Sequence, residues 1–364
     1  VKKCSYCDFL SAPATEQTRE AYMAALFAEI GGRAKDYSDR TVTSIFIGGG
    51  TPSLLSGEQI GQLMDRIREQ FAMAQDAEIT MEVNPGTVSA EKLRNFYTAG
   101  INRLSIGMQS AQAEELKNLG RIHDFEGFCQ VYREAVEAGF TNINVDIMSG
   151  LPGQTLASYR DTLEKVLHLE PMPQHISAYS LIVEEGTPFA AMAERGELPL
   201  PEEETERAMY EETIEVLAKY GFHRYEISNY ARDGYECRHN VGYWIRRDYL
   251  GFGIGAASLI DNVRFQNEKT LGAYLAHPLE SREEEQTLTV QERMEETMFL
   301  GLRLTRGVSC VDFVEQYGRT VEEVYGEVIA RNVADGLLTV TERKENQKKD
   351  RFLALTKRGL DLSN

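Results

Sequence analysis

The feature that most constrains this chain is a rhythm. Short runs rich in β-branched and other apolar residues, at 41–47, 78–83, 103–108, 142–148 and 175–183, alternate with stretches at helical spacing, at 57–71, 89–99, 113–119, 125–138 and 155–169. The unit recurs about every 35 residues, the size of a strand and helix with their loops. Such alternation builds a parallel sheet, because each helix carries the chain back to start the next strand. In these α/β folds ligand-binding groups gather at the carboxyl ends of the strands. Those ends here read Gly48-Gly49-Gly50-Thr51-Pro52, Asn84-Pro85-Gly86 and Ser149-Gly150-Leu151-Pro152-Gly153. A loop with two cysteines precedes the first helix (17–36), and no strand pattern precedes that loop. The expectation is a partial (β/α)6 barrel whose first strand is missing from this chain.

Beyond residue 200 the rhythm stops. An acidic helix at 202–219 is placed to close the barrel, and strands at 223–227 and 263–266 flank a His-, Tyr- and Trp-bearing stretch and a Gly-rich one. Helices at 292–300, 311–317 and 321–335 then lead into a hairpin, 336–340 with 351–355, whose tip at 342–350 is charged. That order resembles a winged helix, a fold that often mediates contacts without DNA. Three parts are expected: residues 1–200 as the barrel, 201–285 as its closing segment, and 286–364 as a winged-helix-like C-terminal domain, together a C-terminal α+β extension.

Charge and cysteine usage limit the function classes. Fifty-seven acidic against 39 basic residues give a formal charge of −18, which repels polyanions, so no nucleic-acid partner is expected. The cysteines, Cys4, Cys7, Cys129, Cys237 and Cys310, are odd in number and scattered, which suits reduced thiols in the cytoplasm. No run approaches the ~18 apolar residues of a membrane span.

Several residues could carry chemistry, each beside a plainer reading. Cys4-Ser5-Tyr6-Cys7 is a dithiol redox pair, half of a metal site, or two unrelated thiols. The Gly48–Thr51 stretch is a ligand-cradling loop or merely a tight turn. Glu82, Gln109, Arg121 and Asp146 fall at or just past successive strand ends; singly each suits a structural ion pair, together they converge. His239-Asn240-x-x-Tyr243-Trp244 offers an imidazole that can ligate iron and an indole that can stack on a macrocycle, or else a packed core histidine. Cys237 reads as an inert buried thiol, as do Cys129 and Cys310, and the acidic run 202–206 as a solvated helix start.

The order of Cys loop, helix, strand and Gly-Gly-Gly-Thr-Pro resembles the radical S-adenosylmethionine (SAM) superfamily. Val-Lys-Lys-Cys4-Ser5-Tyr6-Cys7 resembles the tail of its Cys-x-x-x-Cys-x-x-Cys signature, with the first Cys upstream of Val1. The resemblance implies a 4Fe–4S cluster with Cys4 and Cys7 as ligands and an open iron that takes the amino and carboxylate groups of SAM. It implies SAM contacts from Tyr6, Gly49, Gly50, Thr51, Glu82, Gln109, Arg121, Asp146, Ser180 and Ala257. Nearly the whole chain is similar to one branch, the oxygen-independent coproporphyrinogen III oxidases and the HemW-type haem chaperones. Oxidases carry x-Cys after the third cluster cysteine, whereas Asp8-Phe9 follows Cys7, and His239–Trp244 matches the HNxxYW signature of the chaperones. The chaperone side implies haem contacts from His239 and Trp244, haem-accepting apoproteins as partners, and carriage more than catalysis. It admits peripheral membrane association and leaves the oligomeric state open. The alternative is a coproporphyrinogen oxidase that decarboxylates propionates by radical chemistry.

Overall fold

The computed structural model describes residues 3–280, 282–345 and 348–363. Val1 and Lys2 of the cluster signature, and Asn346 and Gln347 at the wing tip, lie outside the described residues. The barrel is built from α1 (Glu16–Arg33), β1 (Thr41–Ile47), α2 (Gly57–Gln70), β2 (Ala72–Val83), α3 (Ala90–Thr98), β3 (Arg103–Gln109), α4 (Ala113–Leu119), α5 (Phe125–Glu137), β4 (Ile143–Ser149), α6 (Leu156–Leu167) and β5 (His175–Ser180). β1 to β5 pair in parallel in that order, with β1 at one edge. No strand precedes α1 among the described residues.

Alternation along the strands explains how the sheet is buried on both faces. Ile79, Met81, Val83, Leu104, Ile106, Val145, Ile147 and Ile176 point outward and pack with Leu93, Phe96, Phe128, Tyr132 and Tyr159 of the helices. The residues between them, Ser44, Glu78, Thr80, Glu82, Arg103, Ser105, Asn144, Asp146, His175 and Ser177, stand in register on the inner face. Polar residues thus line the inside of the barrel. Ser or Thr caps start α1, α2, α3 and α6, with capping boxes at Ser56–Gln59 and Thr155–Ser158, and Asp124 caps α5, so most helix starts follow from local sequence.

After α7 (Pro188–Glu194) and α8 (Glu203–Lys219), the expected strand at 223–227 is instead two short strands, β6 (His223–Arg224) and β7 (Asn229–Ala231). β7 pairs antiparallel with β5, so the sheet ends in an antiparallel edge, β5-β7-β6. The turn between them, holding Glu226 and Ser228, breaks the run. The HNxxYW stretch forms a helix, α9 (Arg238–Trp244), that packs on β1 and fills the seam the sheet leaves open. A second sheet of β8 (Ala257–Ile260), β9 (Val263–Asn267) and β10 (Arg282–Thr287), with α10 (Leu271–Ala276), follows. Its joint with α1 is a buried polar knot in which Glu29 accepts from Gly253 N (2.9 Å), Asn267 Nδ2 (2.7 Å) and the Tyr274 hydroxyl (2.7 Å).

The C-terminal part runs α11 (Val290–Gly301), β11 (Val308–Ser309), α12 (Cys310–Tyr317), α13 (Val321–Ala334), β12 (Leu338–Glu345), β13 (Lys348–Leu355) and α14 (Lys357–Leu362). Its sheet order, β11-β13-β12, completes a winged helix around Met294, Phe313, Val321, Leu338 and Leu353. No helix among the described residues is long and apolar enough to cross a membrane.

Candidate cofactor and haem sites

The cysteine loop lies across the carboxyl ends of the strands because two helix termini pin it. Ser5 N donates to Leu119 O at the end of α4 (3.1 Å), and Phe189 N at the start of α7 donates to Ser5 O (3.1 Å). A turn bonds Cys7 N to Cys4 O (3.4 Å), which holds the two half-buried thiols close along the chain. Tyr6 packs into an apolar cluster with Leu119, Met148, Leu151 and Phe189, and burial pushes its hydroxyl up to about 12.

Beside this loop the strand ends converge. Arg121 donates through Nη2 to Asn84 Oδ1 (2.8 Å) and Gly107 O (2.5 Å), and its Nη1 lies 3.9 Å from Cys4 Sγ. Gln109 sits on a bulge between β3 and β4 with φ of +70°, a strained conformation for glutamine that re-aims its side chain. Gly107 makes this possible, since a Cβ there would fall 2.9 Å from Gln109 Nε2 and 3.1 Å from Arg121 Nη2. Gly49, at φ +88°, turns its N–H to Glu82 Oε2 (3.1 Å) and has nothing within 4 Å where a side chain would stand. The turn therefore leaves open space at Gly49, beside the residue whose N–H the Glu82 carboxylate holds. Glu82 is pushed up to about 7, first by burial and then by the Asp146 carboxylate, and burial also raises Asp146. Asp146 accepts from Asn144 Nδ2 (2.7 Å) and the Ser105 hydroxyl (3.3 Å).

These residues fit a cluster and SAM. Two soft thiols lie on one short loop, Cys4 Sγ 3.9 Å from the Arg121 guanidinium, and the same strand ends carry two carboxylates and an unfilled glycine turn, groups of both signs as a zwitterionic ligand requires. Half-buried Thr51 follows the glycines, and Ser180 is exposed at the end of β5 with its hydroxyl 3.2 Å from that of Ser149. Ala257 comes from the other sheet, yet Gly255 just before it lies against Leu10 of the cysteine loop's exit. Among the described residues no three His, Cys, Asp or Glu side chains form a metal-holding group. Asn84, whose amide oxygen holds Arg121, escaped the sequence reading because it looked like a turn residue.

His239 and Trp244 lie elsewhere, on α9, and do not face one another. Five residues apart on a helix are about 140° apart in direction. His239 points into the barrel seam, stacked on Phe46 at 5.2 Å and edge-on to Tyr243 at 4.9 Å. Its Nδ1 is 3.0 Å from the Ser44 hydroxyl and its Nε2 is 2.9 Å from that of Tyr243. Burial lowers its pKa to about 4, so the ring is neutral at pH 7. Trp244 faces the C-terminal part, under Arg303 at 4.6 Å, with its buried indole Nε1 unpartnered. The structure therefore does not bring these two motif residues together.

Residues 1–166 match the radical SAM superfamily, and residues 288–362 match the HemN C-terminal domain. A polar-lined partial barrel with a thiol loop at its mouth is the architecture of that superfamily. The chain is 38% identical to the haem chaperone HemW of Bacillus subtilis (strain 168), over 93% of this chain and 90% of that protein. The Lactococcus lactis protein of the same name is 35% identical over 99% and 92%, and the Escherichia coli one 36% over 93% and 89%. This chain belongs to the HemW family. Among solved structures, the coproporphyrinogen III oxidase HemN of Escherichia coli, a radical SAM enzyme, superposes with a TM-score of 0.83 at 27% identity, covering all of this chain and 85% of that one.

Proposed function

We propose that the chain is a haem chaperone that binds haem and delivers it to acceptor apoproteins in the cytoplasm. The observation that carries this reading is its identity with haem chaperones named HemW along nine-tenths of their length. Neutral His239 in the HNxxYW motif is the candidate iron contact. A 4Fe–4S cluster, with Cys4 and Cys7 among its thiolate ligands, would supply an electron-transfer centre with one iron open to SAM. Around it Arg121 and Gln109 would bind the carboxylate end of SAM, Glu82 and the Gly49–Thr51 turn its amino group, and Asp146 its ribose hydroxyls, while Tyr6, Ser180 and Ala257 would flank the adenine. The charge of Arg121 and its approach to Cys4, and the bond from the Gly49 N–H to Glu82, support the carboxylate and amino placements.

The rival reading, a coproporphyrinogen III oxidase, is favoured by the fold match to HemN along the whole chain. Phe9 tells against it, standing where the oxidases carry another cysteine. One anaerobic experiment divides the two. Haem is titrated by absorbance into the reconstituted protein, which is then given coproporphyrinogen, SAM and a reductant. The chaperone reading expects stoichiometric haem binding, lost in His239→Ala, transfer of the haem to an apo-acceptor, and no decarboxylated product. Catalytic product formation would defeat it.

A further inference from the structure

Two residues of the barrel wall hold His239 from opposite ends of the residue. Ser44 on β1 and Glu78 on β2 are direct partners in the parallel register, so both side chains emerge on the inner face at the foot of α9. The Glu78 carboxylate, 4% exposed, accepts from His239 N (3.1 Å) and Cys237 Sγ (3.5 Å) through Oε1, and from Arg238 N (3.1 Å) through Oε2. α9 is seven residues long and Cys237, its N-cap, has no side-chain bond to the helix. A carboxylate from a neighbouring strand therefore does the capping that the local sequence omits, and fixes the backbone that bears the imidazole.

Ser44 fixes the ring. Its hydroxyl is 3.0 Å from Nδ1, and Phe46 on the same strand stacks on the ring face, leaving Nε2 directed at Tyr243. A neutral imidazole carries one N–H, so the partner of Nδ1 decides whether Nε2 keeps a lone pair for iron. A hydroxyl that accepts the Nδ1 proton puts the lone pair on Nε2, the role that carboxylates and carbonyls play behind metal-bound histidines.

We propose that Ser44 and Glu78 are the positioning residues for haem ligation by His239: Glu78 sets the backbone of α9, and Ser44 sets the imidazole tautomer that presents Nε2 to iron. This rests on the reading of His239 as the haem contact. Neither residue belongs to the HNxxYW motif; both lie on the parallel sheet, far from it in sequence.

The test uses the full chain and ferric haem, titrated by absorbance in the wild type, His239→Ala, Ser44→Ala, Ser44→Thr and Glu78→Gln. Ferric and dithionite-reduced spectra of each complex report the axial ligand, and circular dichroism reports folding. Ser44→Ala is expected to weaken haem binding about tenfold, in the range seen when the partner of a ligating histidine is removed, and to shift the reduced spectrum. Ser44→Thr, which keeps the hydroxyl, is expected to restore both, and Glu78→Gln to weaken binding at least as much as Ser44→Ala. If His239→Ala loses haem while Ser44→Ala keeps wild-type affinity and spectrum, the positioning role is wrong and the haem contact stands. An affinity loss in Ser44→Ala without a spectral shift, unrescued by threonine, makes Ser44 a packing residue and also overturns the proposal. Wild-type binding by His239→Ala removes the haem assignment itself, and the proposal with it.

Discussion

The two ends of the barrel interior use the same kinds of residue and leave them in opposite states. At the carboxyl end Glu82 and Asp146 are both raised by burial, Glu82 also by the Asp146 carboxylate, and Glu82 accepts from a turn with open space at Gly49. At the amino end the polar groups bond one to the next. Cys237 N donates to the Tyr225 hydroxyl (3.3 Å), Tyr225 lies 2.9 Å from His175 Nε2, and His175 Nδ1 lies 2.6 Å from Asn144 Oδ1. Asn144 spends its amide donors on Ser105 Oγ and Asp146 (both 2.7 Å), so its oxygen must accept from His175 Nδ1–H, and Nε2 must accept from Tyr225. The chain of donors runs one way, from the N-cap of α9 to Asp146. One end stands ready for a ligand, whereas the other is a closed wall that α9 completes.

The largest effect should come from opening that wall. His175 is fully buried with both ring nitrogens bonded, and burial holds its pKa well below the usual value. His175→Ala leaves a cavity, takes the ring N–H away from Asn144 Oδ1, which keeps only the Ser177 hydroxyl (3.1 Å), and leaves the buried Tyr225 O–H without its acceptor, a cost on the order of 3–4 kcal/mol. Urea unfolding should show a lower midpoint at unchanged slope. A loss below about 1 kcal/mol would mean that the network relaxes freely and that the amino end is no more closed than the other.

At the carboxyl end the sign reverses. A carboxyl whose pKa rises from 4.5 to about 7 on folding is easier to ionise in the unfolded chain. It leaves stability intact below pH 4.5, and stability falls as pH rises through the window to 7. With cofactor absent, Glu82→Gln should therefore match the wild type at pH 4.5 and exceed it at pH 8 by about 2 kcal/mol, at roughly 1.4 kcal/mol per unit less some solvent screening. SAM binding by the reconstituted protein should weaken in the same variant. Melting temperatures across pH 4.5–8 that show no widening gap would mean that Glu82 ionises freely and that this end stores no strain.

Most of the open end was legible in the sequence, and much of the closed end was not. Strand ends marked by Gly, Pro, Glu82, Gln109 and Asp146 advertise a ligand face because the parallel fold puts all strand ends on one side. The antiparallel β6 and β7 were hidden by their length, two and three residues, too short for any period to register. Helix α9 was hidden because it lacks a side-chain cap and depends on Glu78, more than 150 positions earlier. The polar inner face did leave a trace, since Ser44, Glu78, Thr80, Glu82, Arg103, Ser105, Asn144, Asp146, His175 and Ser177 occupy every second position of otherwise apolar strands. Alternation of that kind in strands covered by helices signals a polar interior, a sign as plain in the sequence as the motifs.

The smallest expected effect tests how the closed wall opens. Tyr243 is 36% exposed, the most accessible of the groups holding His239, and its hydroxyl occupies the nitrogen that iron would need. With Ser44 accepting from Nδ1, that hydroxyl must donate to Nε2, so haem binding must first break one hydrogen bond. Tyr243→Phe removes the bond but keeps the ring that packs edge-on against His239 and Tyr249 at 4.9 and 4.7 Å. A single exposed hydrogen bond is worth about 1 kcal/mol net, so haem affinity should rise about fivefold, mostly in the association rate, because the cost is met before iron binds. Stopped-flow absorbance with ferric haem measures both rates. A slower association or weaker complex in Tyr243→Phe would make the phenol a haem contact in its own right, and the motif tyrosine would then belong to the bound state.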